Sequence, residues 1–590
     1  MQTILASTPI AQAQNLLAQS GQNYLMVLHP ADPGEQEELG ATPGGLPLSD
    51  RALSPEEQNQ SPLFGIITQR DVALACHYGF AAAPVANHCR QNIQIISPQL
   101  SPTEQAKMFA QQGVEYLVIA EEAQPIALVE RSQFLNNQPP ADFPLPQTRI
   151  APAPWQLLQQ LAQAAQTRGW QLYLVGGVVR DLFLSAQTST AQLQFKDIDL
   201  VVDGMATPDQ AGVELAQAIQ PLYSTAKLTI HGSFQTAALT WEDDPELGHL
   251  GVDIATTRTE VYPYPAANPE VSASSIQQDL QRRDFTINAL AFCLTEPNAG
   301  TLLDFFGGIA AARSRQIQAI HPNSFIEDPT RIFRAVRFAV RLGFRLESAT
   351  ERWIRRAIAS GIYEQVRVQQ PQAPALTIRL RAELQTIFTV PYWQPVVVLL
   401  GDLQAWRCLH PALALTPALL QQLGKLQRGL GRFDPEQALT PWQLCLELLL
   451  LQLPIAEALS VAKALQLPPA SSDRLAQVTM VVTQIRSWPL DLAPSAIAAR
   501  LKPQCLELLV LCLVQLPRPQ RKLLWRYLSH WSQLKPPLNG HDLQQLGYPR
   551  GPQYRMLLND LWDATLDGKI TSRETAIAYL AQQHPLEGEG

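Results

Sequence analysis

The sequence predicts a multidomain protein with an α+β N-terminal region, an α/β head and an all-α C-terminal half. Three observations carry this. Residues 1–135 contain two similar passes of helical and strand patterns, and residues 155–310 alternate helix and strand. Beyond about 311 the apolar spacing is helical to the end, broken only by Pro and Gly. At 590 residues several domains are expected, at ~100–200 residues each. A hydrophobic content of 46% suffices for packed cores, and a net charge of −8 excludes a generally basic nucleic-acid binder. Any RNA contact must then come from local basic faces.

The first N-terminal pass reads as a helix over Pro9–Ser20, strands over Tyr24–Leu28 and Phe64–Thr68, and a helix over Asp71–Tyr78. The second reads as a helix over Ser101–Gln112 with strands over Tyr116–Ile119 and Pro125–Val129. A Gly/Pro/Glu-rich insertion at about 30–60 separates the first two strands and is expected to be mobile. Prolines at 139, 140, 144, 146, 152 and 154 predict an extended linker over 136–154. In the head, 155–310, Trp155–Arg168 is helical, and Leu172–Val175, Ile198–Val202, Thr236–Thr240 and Val252–Thr256 are strands. A helical neck is expected over 311–400, and a helical body and tail over 401–590.

Seven cysteines without a C-x-x-C pair read as reduced core thiols of a cytosolic protein. There is no secretory signal pattern at the N-terminus. No apolar run reaches the ~20 residues that span a bilayer, so no membrane partner is expected. His541-Asp542 lacks the further His and Asp ligands of a metal-dependent phosphohydrolase and reads as incidental.

The chemistry concentrates in four segments. Gly176-Gly177 follows an apolar strand and precedes a helix, a turn that lets backbone approach phosphate, with Arg180 on the first helical turn. Asp197 and Asp199 alternate on a strand, so both carboxylates face one side, as shared Mg²⁺ coordination requires; Asp253 is a third candidate on a neighbouring strand. In Arg282–Ala289, Arg283 and Asp284 can bond sugar hydroxyls and phosphates, and Asn288 supports the turn. Asp328-Pro329 starts a helix, with Asp as N-cap. From that helix Arg331, Arg334, Arg337 and Arg341 project within ~120° of arc. An Asp accepts from an exocyclic amine and an Arg donates to a ring nitrogen or carbonyl, so Asp328 with Arg331 accepts cytosine and adenine and rejects guanine and uracil.

The order of these segments resembles the class II tRNA nucleotidyltransferase and poly(A) polymerase family, closely over roughly 155–345 and more loosely beyond. The resemblance implies a polymerase-β-like palm in the head, two Mg²⁺ ions at Asp197 and Asp199, nucleotide contacts at Gly177 and Arg180, and a protein-templated choice of CTP and ATP. It also implies the 3′ end of tRNA as the acceptor, bound by the helical body and tail. Two departures stand out. About twenty residues separate Gly177 from Asp197, so Ser185–Phe195 reads as an inserted loop, and Ile-Ala-Ala-Ala-Arg follows Gly308 in place of an acidic continuation. The interval Tyr262–Pro269 is Pro-rich, and no Lys or Arg occurs between Arg258 and Arg282. A stiff, uncharged loop fits poorly with a lever that switches the site from C to A, so addition of CC is expected. Full CCA addition, A addition and poly(A) synthesis are the alternatives. An inactive nucleotide sensor is a further alternative, against which the intact carboxylates stand.

The N-terminal duplication resembles a pair of cystathionine-β-synthase-type (CBS) modules, with Gly65-Ile-Ile-Thr-Gln-Arg-Asp71 matching the signature. That resemblance implies an adenosyl ligand, with Thr68 on phosphate and Asp71 on ribose, and a homodimer through the modules. Glu130 and Gln133 stand at the equivalent places of the second copy, so one site is lost there. A structural, ligand-free pair is the alternative.

Overall fold

The computed structural model describes residues 2–28, 63–121, 124–134, 139–140, 142–186, 192–204, 210–231, 236–434, 436 and 438–586. The expected insertion at 30–60 lies outside them, as does the centre of the Ser185–Phe195 loop.

Two three-stranded sheets with the same pairing order form the N-terminal region. Thr3–Leu5 pairs parallel with Tyr24–Leu28, which pairs antiparallel with Leu63–Thr68. Ile93–Ile96 pairs parallel with Tyr116–Glu121, which pairs antiparallel with Gln124–Glu130. Each copy thus gains a short leading strand that sequence periodicity did not reveal. Helices Ile10–Ser20 and Gln69–His77 bury Ile10, Ala13, Leu17, Val72 and Ala75 against the first sheet. The two sheets meet through Met26, Ile66, Tyr116 and Val118.

The signature pair Thr68 and Asp71 is bonded within the fold. Thr68 caps the helix, its hydroxyl donating to Asp71 Oδ2 at 2.7 Å, and Arg90 donates to both carboxylate oxygens at 2.8 and 3.1 Å. Asp71 is fully buried, and both of its oxygens are engaged within the fold. Burial alone would raise its carboxyl; Arg90 and Thr68 hold it below the usual carboxylate range. The carboxylate therefore stabilises the fold above the ordinary Asp pKa, and this is lost as pH falls through its depressed value. Arg90→Ala should destabilise the N-terminal region by about 3–5 kcal/mol at neutral pH, because it strands a buried carboxylate. In the variant that carboxyl is raised by burial, so acidification should narrow the gap to wild type. Calorimetric unfolding at neutral and mildly acidic pH checks both the size and the sign.

The 136–154 stretch is not a free linker in its described part. Phe143 is buried and stacks at 6.4 Å on Phe183 and 5.8 Å on Phe292. Pro146–Arg149 forms a helical turn, and a helix already begins at Pro152. One aromatic side chain buried in the head, worth ~1.5–3 kcal/mol, outweighs the stiffness that the prolines suggested.

The head is a seven-stranded mixed sheet in the order Leu302–Leu303, Ala291–Cys293, Gln171–Val175, Asp197–Asp203, Gly248–Thr256, Thr236–Asp244, Lys227–His231. Asp197–Asp203 lies at its centre, antiparallel to Gln171–Val175 and parallel to Gly248–Thr256. From Ser324 onward helices dominate, as expected.

The chain divides into two compact units, Met1–Leu380 with Asp402–Cys408, and Arg381–Gly401 with Leu409–Gly590. The division falls at 380, earlier than the expected end of the neck at 400. The second unit is helical and contains a buried ion pair between Arg474 and Glu447. Near its end, Gly540–Gln545, Gln553–Leu566 and Arg573–Gln583 close around Leu543, Leu561 and Leu580. His541-Asp542 is the first turn of the first of these helices, with Asp542 in a capping box with Asn539. All seven cysteines are free; Cys505 is exposed and Cys76 half-buried, so not every thiol is a core residue. Among the described residues no helix is long and apolar enough to cross a membrane.

Candidate active site

An open cleft of about 990 Å³ lies over the central strands of the head and reaches the Thr330–Leu342 helix of the neck. Gly176, Gly177, Arg180, Asp197, Asp199, Arg283, Asp284, Asn288, Asp328, Arg331, Arg334 and Arg337 all line it. Four segments separated by up to roughly 150 residues therefore line one cleft.

The strand Gln171–Val175 ends at Gly176, whose φ of +71° is left-handed. A Cβ there would also press on Arg283 Nη1 at 3.1 Å and Asp199 Oδ2 at 3.4 Å. Glycine is thus needed both for the turn and for the approach of the two charged groups. The helix Gly177–Ala186 starts immediately after.

Asp197 and Asp199 open the adjacent strand with Ile198 buried between them, so both carboxylates face the cleft. Asp253 lies beside Asp199 in parallel register but does not line the cleft. Burial raises the Asp199 carboxyl and Asp197 adds to this, with Arg283 opposing. Burial raises Asp253 too, with Asp199 and Asp197 adding to it. Among the described residues no group of three or more His, Cys, Asp or Glu is placed to hold a metal by itself. Two crowded carboxylates facing an open cleft fit magnesium, which takes one or two carboxylates and completes its shell with water and phosphate oxygens.

The cationic wall is tightly organised. Arg180 is buried, donating from Nη1 to Asn288 Oδ1 at 2.6 Å and from Nε to Asp181 at 2.7 Å. Asp284 accepts from Asn288 Nδ2 at 3.0 Å and from Arg334 Nε at 2.8 Å. Burial would raise the Asp284 carboxyl, but Arg334 and Asn288 hold it below the usual range. Asp284 therefore organises Arg334 and Asn288 while lining the cleft. Three guanidinium groups, of Arg180, Arg334 and Arg337, pack around the Phe338 ring at 5.3, 5.4 and 5.1 Å.

The Asp328–Arg331 segment is buried at the neck end of the cleft. The helix begins at Thr330, one residue later than expected, and Asp328 Oδ1 still accepts from Thr330 N at 2.9 Å. Asp328 Oδ2 lies 3.3 Å from Arg379 Nη1. Arg331 donates from Nη1 to Ser324 Oγ at 2.7 Å and from Nη2 to the Arg282 carbonyl at 2.9 Å.

Sequence reasoning missed several supports. Asp279 is fully buried and holds Arg282 at 2.7 Å and Arg283 at 3.1 Å. Its i,i+3 and i,i+4 spacing to two arginines on a helix end was the available signal. Tyr262, Phe338 and Arg379 gave none, because they reach the site only through tertiary contacts. The Tyr262–Pro269 interval proves to be the turn of a hairpin between Arg258–Val261 and Glu270–Ala273, docked on the neck through Ala266 N to the Glu327 carbonyl at 3.0 Å.

Residues 172–318 match the family model described as the poly A polymerase head domain. The A-adding tRNA nucleotidyltransferase of Geobacter sulfurreducens is 30% identical over 429 residues, 71% of this chain and 46% of that protein. The CC-adding tRNA nucleotidyltransferase of Deinococcus radiodurans is 37% identical over 224 residues, 38% of this chain and 50% of that protein. The chain is thus similar to class II tRNA nucleotidyltransferases through its head and into its helical part. A Thermotoga maritima CCA-adding enzyme solved in complex with tRNA shares the family's architecture with it, at 25% identity and a TM-score of 0.57 over 74% of this chain and 97% of that one. The chain spans about half the length of each of the two curated relatives described.

Proposed function

We propose that the chain extends the 3′ end of tRNA by template-independent nucleotidyl transfer from CTP or ATP. One observation carries this reading: the carboxylate pair Asp197 and Asp199 shares a cleft with the buried base-edge pair Asp328 and Arg331. The first pair suits phosphoryl chemistry and the second suits selection of a base without a nucleic-acid template. Magnesium held by Asp197 and Asp199 would supply charge neutralisation at the triphosphate and activation of the RNA 3′-hydroxyl. The chain's own contribution is alignment. Gly176 and Gly177 would bring backbone close to the phosphates, Arg180 and Arg283 add positive charge, and Asn288 and Asp279 hold these two arginines in place.

The enzyme is further read as having a single specificity. The Arg258–Ala273 hairpin carries no cation in its turn, and that turn is tied to the neck by Ala266 and by Arg379 Nη2 donating to the Ala267 carbonyl at 2.9 Å. Such an anchored turn supports a pocket that does not reshape between C and A. Addition of the terminal A is the first reading, because the relative that aligns over 71% of the chain is named as A-adding. Addition of CC, expected from the uncharged turn, is the second. The duplicated N-terminal sheets support a CBS-type pair in a structural role.

The test is incubation with magnesium and labelled CTP or ATP, using tRNA that ends before CCA and tRNA that ends in CC. Adenosine on the CC-ended tRNA, with nothing added to the shorter one, is the expected result. Two cytidines on the shorter tRNA and a stop would establish the CC reading. A complete CCA end would overturn single specificity, and no transfer to either tRNA would overturn the activity itself.

A further inference from the structure

The chemistry of transfer asks nothing of residues 1–135, yet this region touches the supports of Arg331 from two sides. Tyr78, which caps the helix Gln69–His77, donates its hydroxyl to Glu327 Oε1 at 3.3 Å. Glu327 Oε2 lies 3.5 Å from Arg331 Nη1 and 3.3 Å from His321 Nε2. The preceding residue, His77, places Nε2 2.9 Å from the backbone carbonyl of Tyr262. The Tyr262 ring lies 6.0 Å from the Arg331 guanidinium, and its hydroxyl is 3.5 Å from Nη2. Tyr78, Tyr262, Glu327 and Arg331 are all buried.

The contact is firmly seated. His88 Nδ1 lies 2.9 Å from Asn323 Oδ1, Asn323 Nδ2 donates to the Asp71 carbonyl at 3.3 Å, and Arg90 Nη1 donates to the Ile320 carbonyl at 3.1 Å. The Asp71–Arg90 pair that closes the apparent ligand position is thus also the hinge pin between the N-terminal region and the segment that leads into Asp328.

A buried guanidinium can read a base only if its plane is fixed, and its plane is fixed by acceptors that are themselves held. Glu327 is such an acceptor, and Tyr78 and His321 define its rotamer. Tyr262 supplies the opposing surface, and His77 anchors its backbone. Two consecutive residues of the N-terminal region therefore converge on one side chain of the base-edge pair. We propose that the N-terminal region is a positioning element for nucleotide choice, with Tyr78 acting through Glu327 and His77 acting through Tyr262 to orient Arg331. This rests on the reading of Arg331 as a base-selecting group.

The decisive variant is Tyr78→Phe in the full chain, which removes one hydroxyl and keeps the ring. Incorporation of the preferred nucleotide is compared with that of UTP and GTP, alongside the unfolding midpoint. Discrimination should fall by about fivefold, the scale of one buried hydrogen bond, with the midpoint essentially unchanged. In the double variant with Glu327→Gln, the loss should be no greater than for Glu327→Gln alone, because the two residues act in series. Unchanged discrimination in Tyr78→Phe, while Glu327→Gln loosens it, would overturn the proposal and leave Tyr78 a packing residue. If Tyr78→Phe lowers the midpoint, His77→Ala on the other arm decides, and unchanged selection there overturns the proposal equally. Failure of the wild-type chain to select any nucleotide would instead count against the base-selecting role of Arg331.

Discussion

Asp199→Asn should abolish nucleotidyl transfer without weakening the fold. The expected loss in single-turnover rate is on the order of 10³-fold or more, the scale of removing a dominant electrostatic stabiliser. Asp199 faces the cleft beside Asp197, and a neutral amide lacks the negative charge with which a carboxylate would hold magnesium. The stability side follows from sign. Burial raises the Asp199 carboxyl, so its ionised form weakens the folded state above that raised value, and a neutral isostere should leave the unfolding midpoint unchanged or higher. Lost activity with retained stability cannot come from misfolding. Binding to tRNA, measured by filter retention, should stay near wild type. Near-normal turnover in this variant would remove Asp199 from the metal site. Asp253→Asn should have a smaller effect, because Asp253 stands next to Asp199 but outside the cleft lining.

The second large effect is expected at Asp328. Asp328→Asn keeps an oxygen for Thr330 N and replaces the other with a donor, so the helix start survives while the base edge is inverted. Discrimination of CTP and ATP against UTP and GTP should fall by ~1–3 kcal/mol, or roughly 5–150-fold. The measurement is the ratio of kcat/KM values for the four nucleotides on one tRNA. Ratios that hold while every rate drops would make Asp328 a structural cap and nothing more.

The site was legible because its chemistry is local. Gly176-Gly177, Asp197 with Asp199, the Arg282–Ala289 segment and Asp328 with Arg331 each carry a short local pattern, and residues from all four line the cleft. Strands were legible where apolar residues run or alternate, as in Leu172–Val175. The short Thr3–Leu5 and Ile93–Ile96 were not, because three or four residues hold too little pattern. The unread parts are tertiary. Phe143 turns a Pro-rich stretch into a docked one, Phe338 gathers three arginines, and Tyr262 stands beside Arg331; nothing in the neighbouring sequence announces which distant partner each will find. Asp71 shows the opposite hazard. It sits in a ligand-type signature, yet its partner nineteen residues on, Arg90, turns it inward.

Arg379 gives the cleft an unexpected property. Its Nη1 rests 3.3 Å from Asp328 Oδ2, while Thr330 takes Oδ1 and Arg331 is bonded to Ser324 and Arg282. On the proposed reading of Asp328 and Arg331, the atoms that would meet a base already have internal partners. A nucleotide entering the cleft must exchange bonds with these internal partners and cannot simply fill vacant ones, so ground-state affinity stays modest however good the final fit. A base that offers the wrong edge leaves the resting bonds intact and gains nothing from the pocket. Rejection is then the default state of the pocket, and a matched base is what it takes to leave that state.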